Sequence, residues 1–237
     1  MTASLQTLER LSGPAGRTPD AAIVWMHGLG ADANDFVPLV PELDLRRADG
    51  SPMSVRFVFP NAPVMPVTIN GGMSMRAWYD ILHMDLGGSA GAQTLPREDT
   101  KGLRASQAMV DALVAAQVAN GIPASRIVLA GFSQGAAMTL MTGLRQPSRL
   151  AGLIALSGYL PLSRELVAER HAANADVPIF MAHGSYDPVV RLERALQSRD
   201  ALTALGYDVE WHAYPMQHSV CGEEVAAIAA FLRRVLG

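Results

Sequence analysis

The sequence predicts an α/β fold in which helices cover both faces of a mostly parallel central sheet. Short apolar runs rich in β-branched residues alternate along the chain with longer segments of helical periodicity. The runs are apolar almost throughout, and continuous apolarity is typical of strands that are covered on both faces. Strands that alternate with helices are joined by right-handed crossovers, which align the strands in parallel.

Each element prediction rests on a local pattern in the chain. The predicted strands are 21–26, 55–59, 126–130, 150–156, 178–182 and 209–213. Helices are predicted near 101–119, 134–145, 188–205 and 220–235. The last helix has the clearest pattern, because a single apolar face is formed by Val225, Ile228, Ala229, Leu232 and Val235. The Gly-rich stretch at 87–96 predicts a surface loop and is a candidate flap.

The composition favours one globular domain over residues 1–237 and argues against nucleic acid as a partner. Hydrophobic residues make up 49% of the chain, which is enough for a substantial core. The formal net charge is −3 and Lys101 is the only lysine, so there is no excess of positive charge to bind phosphate groups. Neither an internal repeat nor a linker-like change in composition divides the chain.

Cysteine usage and the N-terminal residues bear on the cellular location. Cys221 is the only cysteine, so an intrachain disulfide cannot form. A reducing cytoplasm suits such a chain best, although a cysteine-poor exported protein is also compatible with it. The N-terminus lacks the basic start and apolar run of a signal peptide, and no segment approaches the roughly 18 consecutive apolar residues of a membrane-spanning helix. We therefore expect no integral membrane association.

The stretch GFSQG at 131–135 raises the first functional hypothesis. It joins the strand predicted at 126–130 to a helical run. In this setting Ser133 would occupy a tight nucleophile elbow above the carboxyl end of the sheet, and Gly131 and Gly135 would give the strand and the helix room for the turn. A plain structural turn of small residues is the alternative, because the bare G-x-S-x-G pattern arises easily by chance.

A serine hydroxyl becomes a nucleophile when a base takes its proton and an acid orients that base. His218 is the best base candidate, because it lies between the last predicted strand and the terminal helix; a surface-loop histidine is the alternative. Asp187 follows the strand predicted at 178–182, but ahead of Pro188 it also fits a helix N-cap. The chain order Ser133, Asp187, His218 is the order of triad residues in α/β-hydrolases.

Two backbone amides are predicted to hold the oxyanion that forms during acyl transfer. One is the N–H of Gln134, the residue after the candidate nucleophile, and the second should come from a loop after another strand. The HGLG stretch at 27–30 follows the strand predicted at 21–26 and leaves the Leu29 amide as that donor. Taken by itself, the stretch fits an ordinary Gly-rich strand exit equally well.

Together these segments resemble the phospholipase/carboxylesterase family of α/β-hydrolases, which includes bacterial carboxylesterases and acyl-protein thioesterases. The resemblance runs from about residue 21 to the C-terminus and rests on VWMHGLGADANDFVPLVPEL, RFVFPNAPVMPVTINGGMSMRAWYDI, IVLAGFSQGAAMTL, LSGYLPL, FMAHGSYDPVV and YPMQHSV. It implies little or no cap domain, with Ser133 as nucleophile, His218 as general base and acid, and Asp187 as its orienter. It also implies the Leu29 and Gln134 amides as oxyanion donors.

The resemblance further implies an enzyme that uses no cofactor or metal, takes a small acyl ester as substrate, and plausibly forms a homodimer. Family members favour short to medium acyl esters, lysophospholipids or acyl-thioesters. The expected activity is therefore that of a serine carboxylesterase, with lysophospholipase or acyl-protein thioesterase as alternatives. The residues it suggests for the acyl-binding wall are Leu29, Trp78, Tyr159, Leu160, Val189 and Val190. The chain departs from the family at LSGYLPL, where Tyr159 stands in place of the tryptophan of eukaryotic thioesterases.

Other interpretations stay open from the residues alone. A metallohydrolase would need HExxH or HxHxDH spacing, and a nucleotide-binding enzyme would need GxGxxG or a P-loop after a strand; the sequence has none of these. A ligand-binding protein on a hydrolase scaffold is a further alternative, although such proteins usually lack a triad residue. Asp80 in the WYD segment is a rival acid, but its place in the chain order favours a structural role.

Overall fold

The computed structural model describes residues 5–83 and 98–237. The strands of this part are β1 (Thr7–Ser12), β2 (Ala21–Met26), β3 (Val55–Pro60), β4 (Val64–Val67), β5 (Met73–Arg76), β6 (Ile127–Phe132), β7 (Gly152–Leu156), β8 (Ile179–Gly184) and β9 (Val209–Tyr214). Its α-helices are α1 (Thr100–Ala119), α2 (Gln134–Gly143), α3 (Ser163–Glu169), α4 (Leu192–Ala204) and α5 (Gly222–Leu236). The Gly-rich stretch at 87–96 lies outside the described residues.

Seven of the strands form one sheet in the order β1-β3-β2-β6-β7-β8-β9. Strand β1 is antiparallel to β3, and every other neighbouring pair is parallel. Strands β4 and β5 form a separate antiparallel hairpin. The carboxyl ends of the six parallel strands therefore meet at one edge, where the predicted site residues follow β2, β6, β8 and β9.

Each face of the sheet is buried in its own core, which explains the continuous apolar runs. Along β2, alternate side chains enter opposite cores: Val24 and Met26 pack with residues of α1 to α4. Ile23 and Trp25 pack with the segment 33–45 and with α5. Because both faces of a central strand are covered, no position of β2 is left for a polar side chain. The prediction of an α/β fold with helices on both faces is confirmed.

The predicted strands match the observed ones to within about two residues, and strand 21–26 matches fully. The edge strand β1, with the sequence TLERLS, was not predicted, because its side chains are mostly exposed and do not form an apolar run. The hairpin of β4 and β5 and the short helix α3 were not predicted either. Within the described ranges no large insertion covers the sheet edge, in agreement with the expected lack of a cap.

The predicted start near residue 188, for the helix predicted at 188–205, is wrong. Helix α4 begins at Leu192, with Arg191 as its N-cap. The carboxylate of Asp187 accepts hydrogen bonds from the N–H groups of Val189 and Val190, which holds residues 187–190 in a turn that precedes the helix. Asp187 therefore caps a turn and not the helix itself.

No helix in residues 5–83 and 98–237 has both the length and the apolarity that crossing a membrane requires.

Candidate active site

Ser133 lies in a strained turn between β6 and α2. Its backbone has φ 56° and ψ −116°, a conformation that non-glycine residues rarely adopt. A Cβ on Gly131 would lie 2.3 Å from the backbone of Gly135, and a Cβ on Gly135 would lie 2.2 Å from the carbonyl oxygen of Met26. Both glycines are therefore required by close backbone packing, as expected of the nucleophile elbow (residues 131–135).

The neighbouring strand β7 fixes the elbow from the other side. The N–H of Ser133 donates a 2.8 Å hydrogen bond to the carbonyl oxygen of Leu156. A Cβ on Gly158 would lie 2.5 Å from the side chain of Ala136 and 2.9 Å from the carbonyl oxygen of Ser133. The glycine of LSGYLPL thus allows this turn to approach the start of α2.

Asp187 and His218 are in direct contact, although 31 positions separate them. The Nδ1 of His218 lies 2.6 Å from Oδ2 of Asp187, while Oδ1 accepts the N–H groups of Val189 and Val190 at 2.8 and 2.9 Å. Burial alone would raise the pKa of Asp187, but the hydrogen bonds from His218 and from these amides lower it below its ordinary value. An ionised Asp187 keeps the proton of His218 on Nδ1 and leaves Nε2 free to act as a base.

The ring of His218 also lies against the nucleophile elbow. Its centroid is 4.7 Å from that of Phe132, the residue before Ser133. The loop that carries His218 crosses the end of β8, where a Cβ on Gly184 would lie 2.2 Å from the carbonyl oxygen of Gln217. No described residue is hydrogen-bonded to the Ser133 hydroxyl, and catalytic hydrogen bonds are often long before substrate binds.

The two predicted oxyanion donors flank this serine. Gln134 is the first residue of α2, so its N–H has no partner within the helix. The HGLG turn passes beside the serine, because a Cβ on Gly28 would lie 3.4 Å from the Ser133 Cβ. The N–H of Gly30 is bonded to the carbonyl oxygen of Arg76 at 2.8 Å, whereas the N–H of Leu29 has no hydrogen-bond partner among the described residues.

Comparison with known proteins identifies the family of this chain. Residues 14–236 match the phospholipase/carboxylesterase family. The chain belongs to that family.

Named relatives and solved structures agree with this membership. The chain is 42% identical over 235 residues to acyl-protein thioesterase 1 of Neurospora crassa, covering 97% of this chain and 93% of the relative. It is similar to the crystal structure of Zea mays acyl-protein thioesterase 2, with a TM-score of 0.78, 29% identity and coverage of 97% and 99%. It is also similar to esterase PE8, with a TM-score of 0.77, 28% identity and coverage of 99% and 100%. As a member of this family, the chain is an ester hydrolase.

In this family member, a buried histidine shapes the HGLG turn. The N–H of Ala62 donates to Nε2 of His27 at 3.0 Å, so Nδ1 carries the proton and donates to the carbonyl oxygen of Gly28 at 2.7 Å. Burial lowers the pKa of His27, which keeps the ring neutral in this role.

A tertiary hydrogen-bond network links the HGLG turn to the start of α2. The side chain of Gln134 accepts the N–H of Trp78 at 2.8 Å and donates to the carbonyl oxygen of Tyr79 at 2.7 Å. The indole N–H of Trp78 donates to the carbonyl oxygen of His27 at 2.9 Å. Trp78 therefore connects the segments that carry the two candidate oxyanion donors, a role that the sequence analysis missed.

The residues predicted for the acyl-binding wall lie in different environments. Trp78 is only 1% exposed, and protein atoms enclose its ring. Leu160 is also buried, and its N–H donates to the hydroxyl of Ser198. Val189 is 65% exposed. Leu29, Tyr159 and Val190 are half-buried.

Tyr159 is fixed by polar and aromatic contacts. Its hydroxyl lies 2.7 Å from that of Tyr79, and the guanidinium of Arg194 stacks 3.3 Å from the centre of its ring. Arg194 in turn lies 3.6 Å from the carboxylate of Glu98. Burial raises the pKa of both tyrosines, so this pair is neutral.

Two further residues near the site have positioning contacts. His183, which the sequence analysis did not single out, lies with Nε2 2.7 Å from the carbonyl oxygen of Val190 and 3.5 Å from Oδ2 of Asp187. The signal available in the sequence was an HG pair at a strand end, at 27–28 and again at 183–184, since His27 and His183 each lie within hydrogen-bond distance of a loop carbonyl oxygen. Asp80 accepts the N–H and the hydroxyl of Thr68 at 2.7 and 2.5 Å, which is the structural role expected for it.

Proposed function

We propose that this protein is a serine carboxylesterase that hydrolyses short to medium acyl esters through an acyl-enzyme intermediate. In this proposal Ser133 is the nucleophile, His218 the general base and acid, and Asp187 the residue that orients His218. The Leu29 and Gln134 amides are the oxyanion donors. The single cysteine of the chain supports a reducing cytoplasm as its location.

In the first half of the reaction, the Ser133 oxygen attacks the ester carbonyl while Nε2 of His218 takes its proton. The tetrahedral oxyanion is stabilised by the two amides, which need no reorganisation because the HGLG turn and the start of α2 are already fixed. His218 then returns the proton to the leaving alcohol as the carbon–oxygen bond breaks.

In the second half, water replaces the alcohol. His218 takes a proton from this water, whose oxygen attacks the acyl carbonyl, and then gives the proton back to Ser133 as the acid leaves. The negative charge of Asp187 stabilises the imidazolium that forms in each half. The half-buried side chains of Leu29, Tyr159 and Val190 are proposed to contact the acyl chain, with Leu160 and Trp78 supporting this wall from the interior and Val189 at its outer rim.

The observation that carries the proposal is the 2.6 Å contact between Asp187 and His218, on a ring that packs against the residue preceding Ser133. The test is the Ser133→Ala variant with p-nitrophenyl butyrate as substrate and a fluorophosphonate probe. We expect hydrolysis to fall by about 10⁶-fold and labelling to disappear, with an unchanged melting temperature. Full residual activity would reject the nucleophile assignment, and a wild-type protein that the probe does not label would favour a binding protein.

Acyl-protein thioesterase is a second candidate function, favoured by the 42% identity to the Neurospora crassa protein of that name. The same triad would release a cysteine thiol in place of an alcohol. The test is the ratio of kcat/KM for an S-acyl cysteine peptide to that for the matching O-acyl serine peptide, measured over increasing acyl length. A ratio well above that of the two uncatalysed reactions would favour the thioesterase, and equal acceleration of both reactions would favour the carboxylesterase.

A further inference from the structure

A cavity of about 300 Å³ lies beside His218. It is lined by Asp35, Phe36 and Leu39 from the segment after β2, and by Phe132, His218 and Val220. The volume is at the small end of the range for ligand sites, so the cavity suits a small chemical group of a substrate. We call it the Asp35 cavity.

The topology separates the Asp35 cavity from the proposed acyl wall. The segment 35–39 follows β2, whereas Tyr159 and Leu160 follow β7. Leu29 also follows β2, but it lies in the HGLG turn beside Ser133 and does not line the cavity. Strands β2 and β7 lie on opposite sides of β6, at whose end Ser133 is placed. A substrate bound across Ser133 with its acyl chain against Tyr159 and Leu160 therefore has its leaving group on the β2 side. His218, which must protonate the leaving group, lies in the wall of this cavity.

The charge of the cavity comes from a carboxylate without a partner. Asp35 forms no side-chain hydrogen bond or ion pair with any residue in the described ranges. The titratable groups that act on it are His27, which is neutral in the structure, and Asp32. Burial raises the pKa of Asp35 above its ordinary value, as expected of a carboxylate that lacks a compensating cation.

Aromatic rings form the wall next to this carboxylate. The centroids of Phe36 and Phe132 are 5.6 Å apart, and the ring of Phe132 continues to His218. Phe36 is buried and Phe132 half-buried, and both line the cavity. A carboxylate beside aromatic rings is an environment that attracts an ammonium group, through charge and through cation–π contact.

We propose that the Asp35 cavity is a leaving-group subsite that favours alcohols and thiols carrying an ammonium group. The inference rests on the proposed esterase function and adds to it the class of leaving group. In this arrangement the acyl wall selects the length of the acyl chain, while the Asp35 cavity selects a positive charge on the alcohol or thiol.

The test compares butyrylcholine with 3,3-dimethylbutyl butyrate, its neutral isostere. For the wild type we expect kcat/KM to be about fivefold higher for the cationic ester, with the difference reduced at 0.5 M salt. In Asp35→Asn the ratio should fall to about one, while kcat/KM for the neutral ester stays unchanged and shows that the site is intact. Asp35→Glu should keep a ratio above one.

The matched control is Asp32→Asn. Asp32 and Asp35 are both exposed, but only Asp35 lines the cavity, so Asp32→Asn removes an equal charge from outside it and should keep most of the preference. A second pair of substrates, S-butyryl cysteine peptides with lysine or glutamine beside the cysteine, distinguishes a peptide cation from a small alcohol. A wild-type ratio near one for both pairs, or a ratio that Asp35→Asn leaves unchanged, overturns the inference. Failure to hydrolyse even the neutral ester would instead reject the proposed function.

Discussion

The two halves of the candidate active site are held in place by different forces. The nucleophile elbow is fixed by sterics: Gly131, Gly135 and Gly158 allow contacts in which any Cβ would meet other atoms at 2.5 Å or less. The acid–base loops, residues 185–190 and 217–221, are fixed by hydrogen bonds that converge on Asp187, and the one steric contact of the elbow type is that of Gly184, at the end of β8, with Gln217. The nucleophile elbow should therefore be sensitive to added side-chain volume, whereas the acid–base loops should be sensitive to the loss of charge and of hydrogen bonds.

Adding a single methyl group to the elbow should have the largest effect. In Gly135→Ala the new Cβ would meet the backbone of Met26, which no side-chain rotation can relieve. We expect loss of both soluble, cooperatively folding protein and ester hydrolysis. The control is Gly222→Ala at the start of α5, where a Cβ meets nothing within 4 Å. Thermal unfolding of both variants tests whether close backbone packing fixes the nucleophile elbow. A fully active Gly135→Ala protein would contradict this explanation.

Changing the acid without changing its volume should affect chemistry and leave the fold intact. In Asp187→Asn the amide oxygen still accepts the Val189 and Val190 N–H groups, but the amide nitrogen favours the wrong tautomer of His218. We expect kcat to fall by about 10⁴-fold with little change in melting temperature.

The rival acid provides the control for this substitution. Asp80→Asn, at the carboxylate that binds Thr68, should keep kcat within a few-fold of wild type. A larger fall in kcat for Asp80→Asn than for Asp187→Asn would contradict the assignment of Asp187 as the acid.

Glu224, in the first turn of α5 after the loop that carries His218, should make the stability of the protein depend on pH. Its carboxylate is 0% exposed and has no hydrogen-bond partner among the described residues. Burial raises its pKa to about 7. Because the unfolded chain loses this proton near the ordinary value, stability should fall as pH rises from about 4.5 to 7, by up to about 3 kcal/mol.

Urea unfolding at pH 5 and pH 8 measures this contribution. Glu224→Gln should reduce the pH-dependent difference, and a smaller difference should remain from Asp111, whose pKa burial raises to about 6. Glu223→Gln, at the exposed neighbour in the same helical turn, should leave it in place. Equal pH profiles for wild type and Glu224→Gln would show that the buried carboxyl does not control stability.

The smallest effect on activity is expected for a change at Trp78, whose indole N–H binds the HGLG turn. Trp78→Phe keeps an aromatic ring but removes the N–H that binds the carbonyl oxygen of His27. A small displacement of the Leu29 amide should lower kcat for p-nitrophenyl butyrate about tenfold and leave KM nearly unchanged. Trp211→Phe on β9 is the control. An equal fall in kcat for Trp211→Phe would indicate a general loss of packing.

Much of the fold could be predicted from sequence because the central strands are buried on both faces. Continuous apolar runs such as AAIVWM are the direct result of two cores, so the strand predictions match. β1 lies at the sheet edge with polar side chains, and its pairing with β3 has no local signature. The start of α4 was misplaced because Asp187 uses its carboxylate to hold a turn, and this competes with the helix signal of Pro188.

The candidate site could be predicted from sequence where its residues follow strand ends, and less so where it depends on tertiary contacts. Position and chain order select Ser133, Asp187 and His218 as candidates, and the structure brings Asp187 and His218 into contact. Gln134 and Trp78 are joined across 56 positions, and no periodicity or spacing marks such a pair. The role of His183 likewise depends on where the 187–190 turn brings the carbonyl oxygen of Val190.

The hydrogen bond from the Ser133 N–H to Leu156 ties the proposed nucleophile to the register of two central strands. Surface substitutions that leave Gly158 and Asp187 in place can therefore reshape the pocket without moving the Ser133 backbone. A scaffold of this design can acquire new substrates through its periphery, because its chemistry is anchored in the part of the molecule that tolerates the least change.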